Sequence, residues 1–401
     1  MAFAPSVPRT AVLQPDTHET LHRLLRLAVD GLPRILREDG LYAFTRAVRG
    51  TNANGEPELE LRGLSLRYSA IVALGAHWLP VADQRHVLGG ATAVDYVSTL
   101  IDHLADDTNL GDTALVCWAA AQAGHPRLGE ALDRLRRRDG GPGPVYVVEA
   151  AWVVSALAAA RARADVEAPL AAARARLLGT LAPGRRIFPH ATGPGLVRSY
   201  RQHVACFADQ VYPIQALARL HHSGEDRVAL AAANASAAAI CELQGDGGQW
   251  WWHYDSRNDN VIEGYPVYTV HQHAMAPMAL FDLAEAGGDA HGEEIRRGLA
   301  WITDPAELRA APRPLILDEA GVTWRKVYRG DPRKLVRGLR TLTTHRAPGV
   351  RVRAIDRVYR PRAIDRECRP YEFGWLLFTW LGALDRTAGE ATGVAPTGSA
   401  W

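Results

Sequence analysis

The sequence predicts an all-α protein, an (α/α)6 toroid in which six inner helices surround a central cavity and six outer helices pack around them. Alanine and leucine supply most apolar positions, whereas alternating β-branched runs are scarce, and this composition favours helix over strand. Apolar residues also recur at helical spacing through most of the chain, interrupted by clusters of glycine and proline. A coarse repeat of helical segments is the third observation behind this prediction.

The repeat consists of six segments that each start with polar or charged residues and continue as an apolar helix. In chain order they are LRYSAIVALGA, GDTALVCWAAAQAG, VVEAAWVVSALAAA, FADQVYPIQALARLH, VHQHAMAPMALFDLAEAG and CRPYEFGWLLFTWLGAL. A second helix, a glycine-containing turn and a short irregular stretch separate most of them. Each helix pair can bury its apolar face only against its neighbours, so six pairs favour a closed ring. An irregular helical bundle or solenoid is the alternative architecture.

The domain organisation follows from this repeat. We expect one toroid domain over residues 21–386, with short irregular or β-hairpin loops and an N-terminal extension of residues 1–20. The unit at residues 290–385 is long enough to contain a basic insertion at about 304–367. Residues 387–401 are small and polar, which is typical of a flexible tail.

Charge, cysteine content and hydropathy limit the partners and the location that we expect for this protein. The 401-residue chain has a formal net charge of +2, so its overall charge does not indicate a nucleic-acid or membrane partner. Its cysteines, Cys117, Cys206, Cys241 and Cys368, form no CxxC pair, which favours buried free thiols. The N-terminus lacks a signal-peptide pattern, and no apolar run is long enough to span a membrane. We therefore expect a cytoplasmic protein without a transmembrane segment.

One string resembles a motif of a known superfamily. In LQGDGGQW, Gln244, Gly248 and Trp250 fit the Q-x-x-x-G-x-W repeat of the squalene–hopene and oxidosqualene cyclases, and HQHAMAPMALFDL resembles the inner helix that follows it there. The resemblance implies that Gln244 caps a helix end, that Trp250 stacks over it, and that the two residues tie an outer helix to an inner one. Both would then be structural residues. Terpenoid cyclases, prenyltransferases and six-hairpin glycosidases share such toroids, so the fold alone does not select a function.

The sequence lacks the motifs that would indicate terpenoid-cyclase, terpene-synthase or zinc-enzyme activity. The protonating D-x-D-D of the cyclases is absent, and the string LADDTNLGD resembles the DDxxD of terpene synthases only loosely. A zinc enzyme would need a set of Cys and His ligands, but His271 and His273 are two residues apart and diverge on a helix. The sequence therefore predicts no metal site and no cofactor.

Candidate functional residues gather where the inner helices begin. In α/α toroids these ends usually open onto the cavity, and positive helix ends favour an anion there. We expect acid/base chemistry from Asp112, Glu149, Asp209, His271 and Tyr371. Substrate contacts are expected from Arg67, Tyr68, Gln210, Tyr212, Gln272, His273, Arg369 and Glu372. A carboxylate at a helix start can instead be a cap, and a histidine on an apolar helix can be a core residue.

A second group of candidates precedes the fifth inner helix. The three tryptophans at positions 250–252 cannot share one face of a helix or strand, and the first of them is assigned to the helix tie. The residues after it lie on the loop that leads to the inner helix, and we expect them to face the cavity. Further substrate contacts are therefore predicted for Trp251, His253, Tyr254, Asp255, Tyr265 and Tyr268.

The segment from Trp324 to Arg369 is dense in arginine, and RAIDR occurs in it twice. Such a segment can be a solvated basic surface or a lid. It can also recognise carboxylate or phosphate, for which the planar guanidinium is suited. RNA binding is disfavoured because Asp356 and Asp365 are interleaved with the arginines and few aromatic residues accompany them.

Three functions remain open at this point. The first is a carbohydrate-active enzyme (an epimerase, lyase or hydrolase) that acts on an anionic or phosphate-linked glycan by acid/base chemistry. The second is a terpenoid cyclase-like enzyme with an isoprenoid substrate, and the third is a non-catalytic ligand-binding toroid. No nucleic-acid partner is expected from any of them. A cavity wall of His, Arg and carboxylates would favour the glycan, whereas a wall of Phe, Trp and Leu would favour the isoprenoid.

Overall fold

The computed structural model describes residues 7–52, 55–141, 143–350 and 353–384, and helices dominate this part of the chain. The helices are α1 (Val7–Thr10), α2 (Pro15–Gly31), α3 (Leu66–Ala76), α4 (Val81–Val87), α5 (Ala93–Asp102), α6 (Leu110–Ala123), α7 (Leu128–Asp139), α8 (Val147–Ala160), α9 (Glu167–Gly179), α10 (Ala208–Gly224), α11 (Arg227–Glu242), α12 (Ala276–Glu285), α13 (Gly292–Trp301), α14 (Leu335–Arg346), α15 (Arg353–Val358) and α16 (Pro370–Leu381). A π-helical turn, His271–Met275, leads directly into α12.

Six helices form a closed inner ring. Helices α3, α6, α8, α10, α12 and α16 each pack against the next, and α16 packs against α3 to close the circle. Around them lie α2, α5, α7, α9, α11 and α13, each in contact with one or two inner helices or with the π turn. The inner helices coincide with the six segments of the sequence repeat, so the predicted (α/α)6 toroid is confirmed.

Glycine allows the ring to close. Gly374 of α16 lies against the backbone of α3, where an added Cβ would be 2.8 Å from the carbonyl oxygen of Ile71. Gly75 of α3 faces the backbone of Gly374 in the same contact. Because neither residue has a side chain, the first and last inner helices approach more closely than larger residues would permit.

Short antiparallel strands lie next to the starts of inner helices. They are β1 (Thr45–Thr51), β2 (Pro57–Arg62), β3 (Val204–Cys206), β4 (His253–Asp255), β5 (Asn260–Glu263), β6 (Val267–Tyr268), β7 (Ile316–Leu317), β8 (Val322–Thr323), β9 (Lys326–Tyr328), β10 (Ala363–Asp365) and β11 (Glu367–Cys368). Their sheets are ordered β11-β1-β2, β10-β9-β6, β3-β4-β5 and β7-β8. Strands β2, β3, β6 and β11 come shortly before α3, α10, the π turn and α16, so the sheets surround the N-terminal mouth of the ring.

The chain between α13 and α16 contains the segment predicted as an insertion. It is fastened to the mouth, because β9 pairs with β6, β11 pairs with β1, and α14 packs on β5. At the N-terminus, α2 begins at Pro15, earlier than the boundary predicted at residue 21, and Arg9 is buried with ion pairs to Asp282 and Glu285. The predicted tail, residues 387–401, lies outside the described residues. Among the described helices, none combines the length and apolar character needed to cross a bilayer.

The glutamine and tryptophan of LQGDGGQW connect neighbouring segments. The Gln244 amide donates to the carbonyl oxygens of Gly248 at 3.1 Å and Glu294 at 2.9 Å, so it joins the turn after α11 to the first turn of α13. Trp250 is fully buried, and its backbone N–H donates to the Gln272 side chain at 3.3 Å. Both residues hold the ring together, although Gln244 joins two outer helices here, whereas the cyclase resemblance implied a tie between an outer and an inner helix.

Candidate active site

A central cavity of about 290 Å³ lies at the N-terminal ends of the inner helices. Its wall comes from α3, α8, α10, the π turn, α16 and the segment before β9. The lining residues are Arg67, Tyr68, Ile71, Val148, Trp152, Ala208, Tyr212, Trp252, Tyr268, His271, Met275, Arg325 and Tyr371. The wall therefore combines aromatic faces with two guanidinium groups.

At one side of the cavity, the guanidinium group of Arg67 lies between two carboxylates. Arg67 Nε donates to Asp112 Oδ1 at 2.7 Å, and Arg67 Nη2 lies 4.0 Å from Glu149 Oε1. The guanidinium also lies 5.1 Å from the ring centroid of Trp152. Gly111 makes this packing possible, since a Cβ there would lie 3.0–3.1 Å from Trp152, Arg67 and Glu149. Both carboxyl side chains remain partly exposed, at 16% for Asp112 and 17% for Glu149, so a ligand can reach them.

Stacked tyrosines form the opposite side. The ring centroids of Tyr68 and Tyr371 are 4.6 Å apart, and Arg369 Nη1 donates to the Tyr68 hydroxyl at 3.0 Å. Arg325 lies 5.0 Å from the Tyr268 ring centroid. Arg369 thus supports the wall from behind, while Arg325 borders the cavity itself.

Glu372 is fully buried behind Arg325. Its Oε1 lies 4.0 Å from Arg325 Nε, and neither carboxyl oxygen has a hydrogen-bond partner among the described residues. Burial raises the pKa of Glu372 to about 8, against the opposing effect of the nearby arginines. The carboxyl group is therefore mostly protonated at neutral pH.

Asp209 does not line the central cavity, and its carboxylate contacts the imidazole of His190 instead. Its Oδ2 accepts the backbone N–H of Cys206 at 2.6 Å and lies 2.8 Å from His190 Nδ1. The carboxylate raises the pKa of His190, although burial opposes that effect. His190 lines a second pocket of about 470 Å³, and Trp252 belongs to the walls of both the pocket and the cavity.

The two predicted histidines of the π turn occupy different surroundings. His271 borders the cavity, with its ring nearly parallel to Trp252 at 5.8 Å between centroids. His273 is fully buried, and neither of its ring nitrogens has a hydrogen-bond partner among the described residues. Burial lowers the pKa of each to about 3, so both are neutral at pH 7. His273 does not line the cavity, and His271 is a weak base.

Several other candidates hold the structure together. The Gln210 side chain bonds the backbone of Phe188 and Cys206, and Gln272 accepts the Trp250 N–H and donates to the Tyr268 carbonyl. None of the following predicted residues lines the central cavity: Asp112, Glu149, Asp209, Gln210, Trp251, His253, Tyr254, Asp255, Tyr265, Gln272, His273, Arg369 and Glu372. Of these, His253 lines the second pocket. Asp112 and Glu149 reach the central cavity only through Arg67, which is part of the wall.

The residues around the tryptophans at positions 250–252 also have structural contacts. Asp255 is buried in an ion pair with Arg257 at 2.8 Å. Tyr254 is fully buried and points to the opposite face of β4 from His253, as alternation along a strand requires. Trp251 packs edge-on against Tyr265, whose hydroxyl donates to Glu307 at 2.7 Å. These side chains support the mouth of the ring without forming the cavity wall.

Several residues of the two sites were not singled out from the sequence, among them Trp152, His190, Trp252, Arg325 and the cations of the second pocket. Trp152 follows Glu149 by three residues on α8, a spacing that places both on one helix face and could have indicated it. Arg325 belongs to the arginine-dense segment, where no sequence feature distinguishes it from the other arginines. No local signal distinguishes His190 in its loop or Trp252 from its two tryptophan neighbours.

Among the described residues, two groups of side chains could hold a metal ion, although the sequence predicted no metal site. They are His190, Cys206 and Asp209, and Cys241, His291 and Glu294, with ligand atoms within 4.8 Å of one another in each group. Neither group was visible in the sequence, because its members come from separate segments. In the first, the His190–Asp209 hydrogen bond already occupies one atom of each partner.

Comparison with known proteins supports the fold. Neither a protein-family model nor a curated protein matches this chain. Among solved structures, an unsaturated glucuronyl hydrolase specific for heparin is 13% identical over 90% of this chain and 96% of that one, with a TM-score of 0.53. The unsaturated glucuronyl hydrolase of Bacillus sp. GL1 is 14% identical, covering 90% and 95%, also with a TM-score of 0.53. A possible GH105 family member from Klebsiella pneumoniae is 10% identical, covering 90% and 92%, with a TM-score of 0.55. The chain therefore has the (α/α)6 toroid fold of these enzymes.

Proposed function

We propose that this protein is a carbohydrate-active enzyme that hydrolyses a saccharide carrying a carboxylate, bound in the central cavity. The observation that carries the proposal is the cavity wall, where aromatic faces, Arg67 and Arg325 meet beside the carboxylates of Asp112 and Glu149. Its fold, shared with enzymes described as glucuronyl hydrolases, gives independent support.

Binding follows from the chemistry of the wall. The rings of Trp152 and Tyr371 line the cavity with apolar surface against which the C–H faces of a sugar ring can pack, whereas Tyr68 is stacked between Phe44 and Tyr371. Arg325 and Arg67 offer planar guanidinium groups, which suit a carboxylate on the sugar. The surrounding helix N-termini also favour a negative ligand.

Hydrolysis needs one group that donates a proton and one that accepts a proton. Glu149 lies 4.0 Å from the Arg67 guanidinium and is the candidate donor to the oxygen of the leaving group. Asp112 pairs directly with Arg67 and is the candidate acceptor of a proton from the attacking water. The glycosidic C–O bond breaks, a C–O bond to water forms, and the two transferred protons balance.

The test compares Asp112→Asn and Glu149→Gln with wild type on saturated and unsaturated uronate disaccharides. We expect each variant to lose at least about 100-fold in kcat, because a positioned acid or base contributes roughly that much, while its melting temperature stays close to that of wild type. Asp133→Asn is the matched control, since Asp133 is an exposed carboxylate on α7 that pairs with Arg136. Full activity of both cavity variants would contradict the assignment.

The aromatic share of the wall also keeps an isoprenoid substrate open as a second candidate. The two arginines oppose it, because a carbocation is repelled by nearby guanidinium groups. Thermal-shift measurements with uronate oligosaccharides and with prenyl diphosphates separate the two functions. Stabilisation by prenyl diphosphates alone would reverse their order.

A further inference from the structure

The second pocket is strongly basic. It lies between β3, β4 and α14, and its lining residues are His190, Tyr200, Arg201, Val204, Cys206, Trp252, His253, Arg333, Lys334, Arg337, Gly338 and Thr341. Four of these are permanently charged cations, and no carboxylate of the described residues belongs to the wall; Asp209 lies behind it, bonded to His190. Its volume of about 470 Å³ is sufficient for a solvated anionic group together with part of the molecule that carries it.

Three cations of this pocket, Arg333, Lys334 and Arg337, lie in the arginine-dense segment and differ from four of its other arginines. Arg325, Arg329, Arg340 and Arg369 each pair with a carboxylate: Glu367 for the first and last, and Glu263 for the other two. In contrast, no ion pair or side-chain hydrogen bond is found for Arg201, Arg333, Lys334 or Arg337 within the described part of the chain. The predicted alternatives for the segment therefore apply to different residues. Arg329, Arg340 and Arg369 hold the fold, Arg325 is paired but also borders the cavity, and Arg333 and Arg337 have no carboxylate partner among the described residues.

Buried groups of the pocket point to the same ligand. His253 is only 7% exposed, and its Nδ1 has no hydrogen-bond partner among the described residues. Burial lowers the pKa of His253, and the charges of Arg337 and Arg201 lower it further, which places both guanidinium groups near this imidazole. Like charges gathered without a counter-charge repel one another, and a bound anion would relieve that repulsion.

We propose that this pocket binds an oxyanion (a sulfate, phosphate or carboxylate group) through Arg201, Arg337 and Lys334. Arginine and lysine are the side chains that best recognise such groups, and Arg337 is half-buried, which strengthens its interaction. Because Trp252 forms part of both walls, a ligand can extend past it from one site to the other. The oxyanion then belongs to the unit of the glycan next to the one in the central cavity, a statement that rests on the proposed function.

Isothermal titration of the full chain at low ionic strength tests the pocket by itself, with sodium sulfate, phosphate and acetate as probes. We expect saturable binding of at least one probe, weakened about tenfold by Arg201→Gln and about tenfold by Arg337→Gln. The matched control is Arg85→Gln, because Arg85 is an exposed arginine of α4 outside the pocket, and it should bind as wild type does. Preference for sulfate and phosphate identifies a dianion as the ligand, and preference for acetate identifies a carboxylate.

Two outcomes would overturn the proposal: no saturable binding of any probe, or equal binding by wild type and both pocket variants. Turnover of disaccharides with and without a sulfate on the second sugar then tests the link to the cavity. If sulfate is the preferred probe, we expect Arg337→Gln to raise KM for the sulfated substrate about tenfold and to raise KM for the unsulfated one much less. If the probes bind but no saccharide is turned over, the oxyanion site is supported and the proposed function is contradicted.

Discussion

Replacing Glu372 with glutamine should change how the stability of the protein depends on pH. The carboxyl group is fully buried, and its pKa in the folded chain is about 8, against an ordinary value of 4.5. Between these two values the unfolded chain has released the proton and the folded chain still holds it. The contribution of Glu372 to the free energy of unfolding of wild type therefore falls as pH rises through this window and changes no further above about pH 8.

The magnitude follows from the same two values. Because one pKa unit corresponds to about 1.4 kcal/mol, the difference between 4.5 and about 8 amounts to about 5 kcal/mol. Glutamine has nearly the same shape and cannot ionise. The stability of Glu372→Gln relative to wild type should therefore increase by up to about 5 kcal/mol across the window.

Urea denaturation at pH values across the window measures this difference. The control is Glu58→Gln, which changes an exposed carboxylate on β2 and should give a curve nearly parallel to that of wild type. If the curve of Glu372→Gln is also parallel to that of wild type, Glu372 is not held protonated by burial. A relative stability that falls with increasing pH would refute the reasoning altogether.

Two further substitutions test the packing of the ring. Gly374→Ala places a Cβ 2.8 Å from a backbone oxygen of α3, and overpacking of this kind should cost about 1–3 kcal/mol. A urea midpoint equal to that of wild type would contradict the close contact between α16 and α3. Arg9→Met removes one cationic partner of buried Asp282, which keeps a second partner in Arg219. We expect a loss of about 3 kcal/mol in the free energy of unfolding, and an unchanged melting temperature would show that Arg9 does not contribute.

The architecture of the site explains why its carboxylates come from distant parts of the chain. Helices α6 and α8 are neighbours in the ring, so Asp112 and Glu149, both in first turns, meet at one mouth. Arg67 reaches them from the first turn of α3 on the other side of α6. Because the inner helices start at the same end of a closed ring, polar residues at their first turns come close together in space.

Most of the fold was predictable because its signal is local. Each inner helix has its own apolar periodicity and its own polar start, and both can be read without knowing any contact. Arg67, Tyr68, Tyr212, His271 and Tyr371 were predicted from position at or near helix starts, and they line the cavity. Gln210 and Gln272 come from equivalent positions, yet their side chains bond backbone groups in the core. Spacing along a helix does not say which way the helix is rotated in the ring.

The sequence by itself determined the class of fold, the six inner helices and the helix starts from which much of the cavity wall comes, since helix periodicity and helix ends are properties of neighbouring residues. Tertiary structure alone decided which residues form each site. Arg325 and Trp252 complete the cavity, and Arg201 and Arg337 meet in a second pocket, because strand pairing folds the arginine-rich segment over the mouth of the ring. Which arginines remain without a carboxylate partner depends on contacts between segments that are far apart in the chain, and no local pattern encodes them.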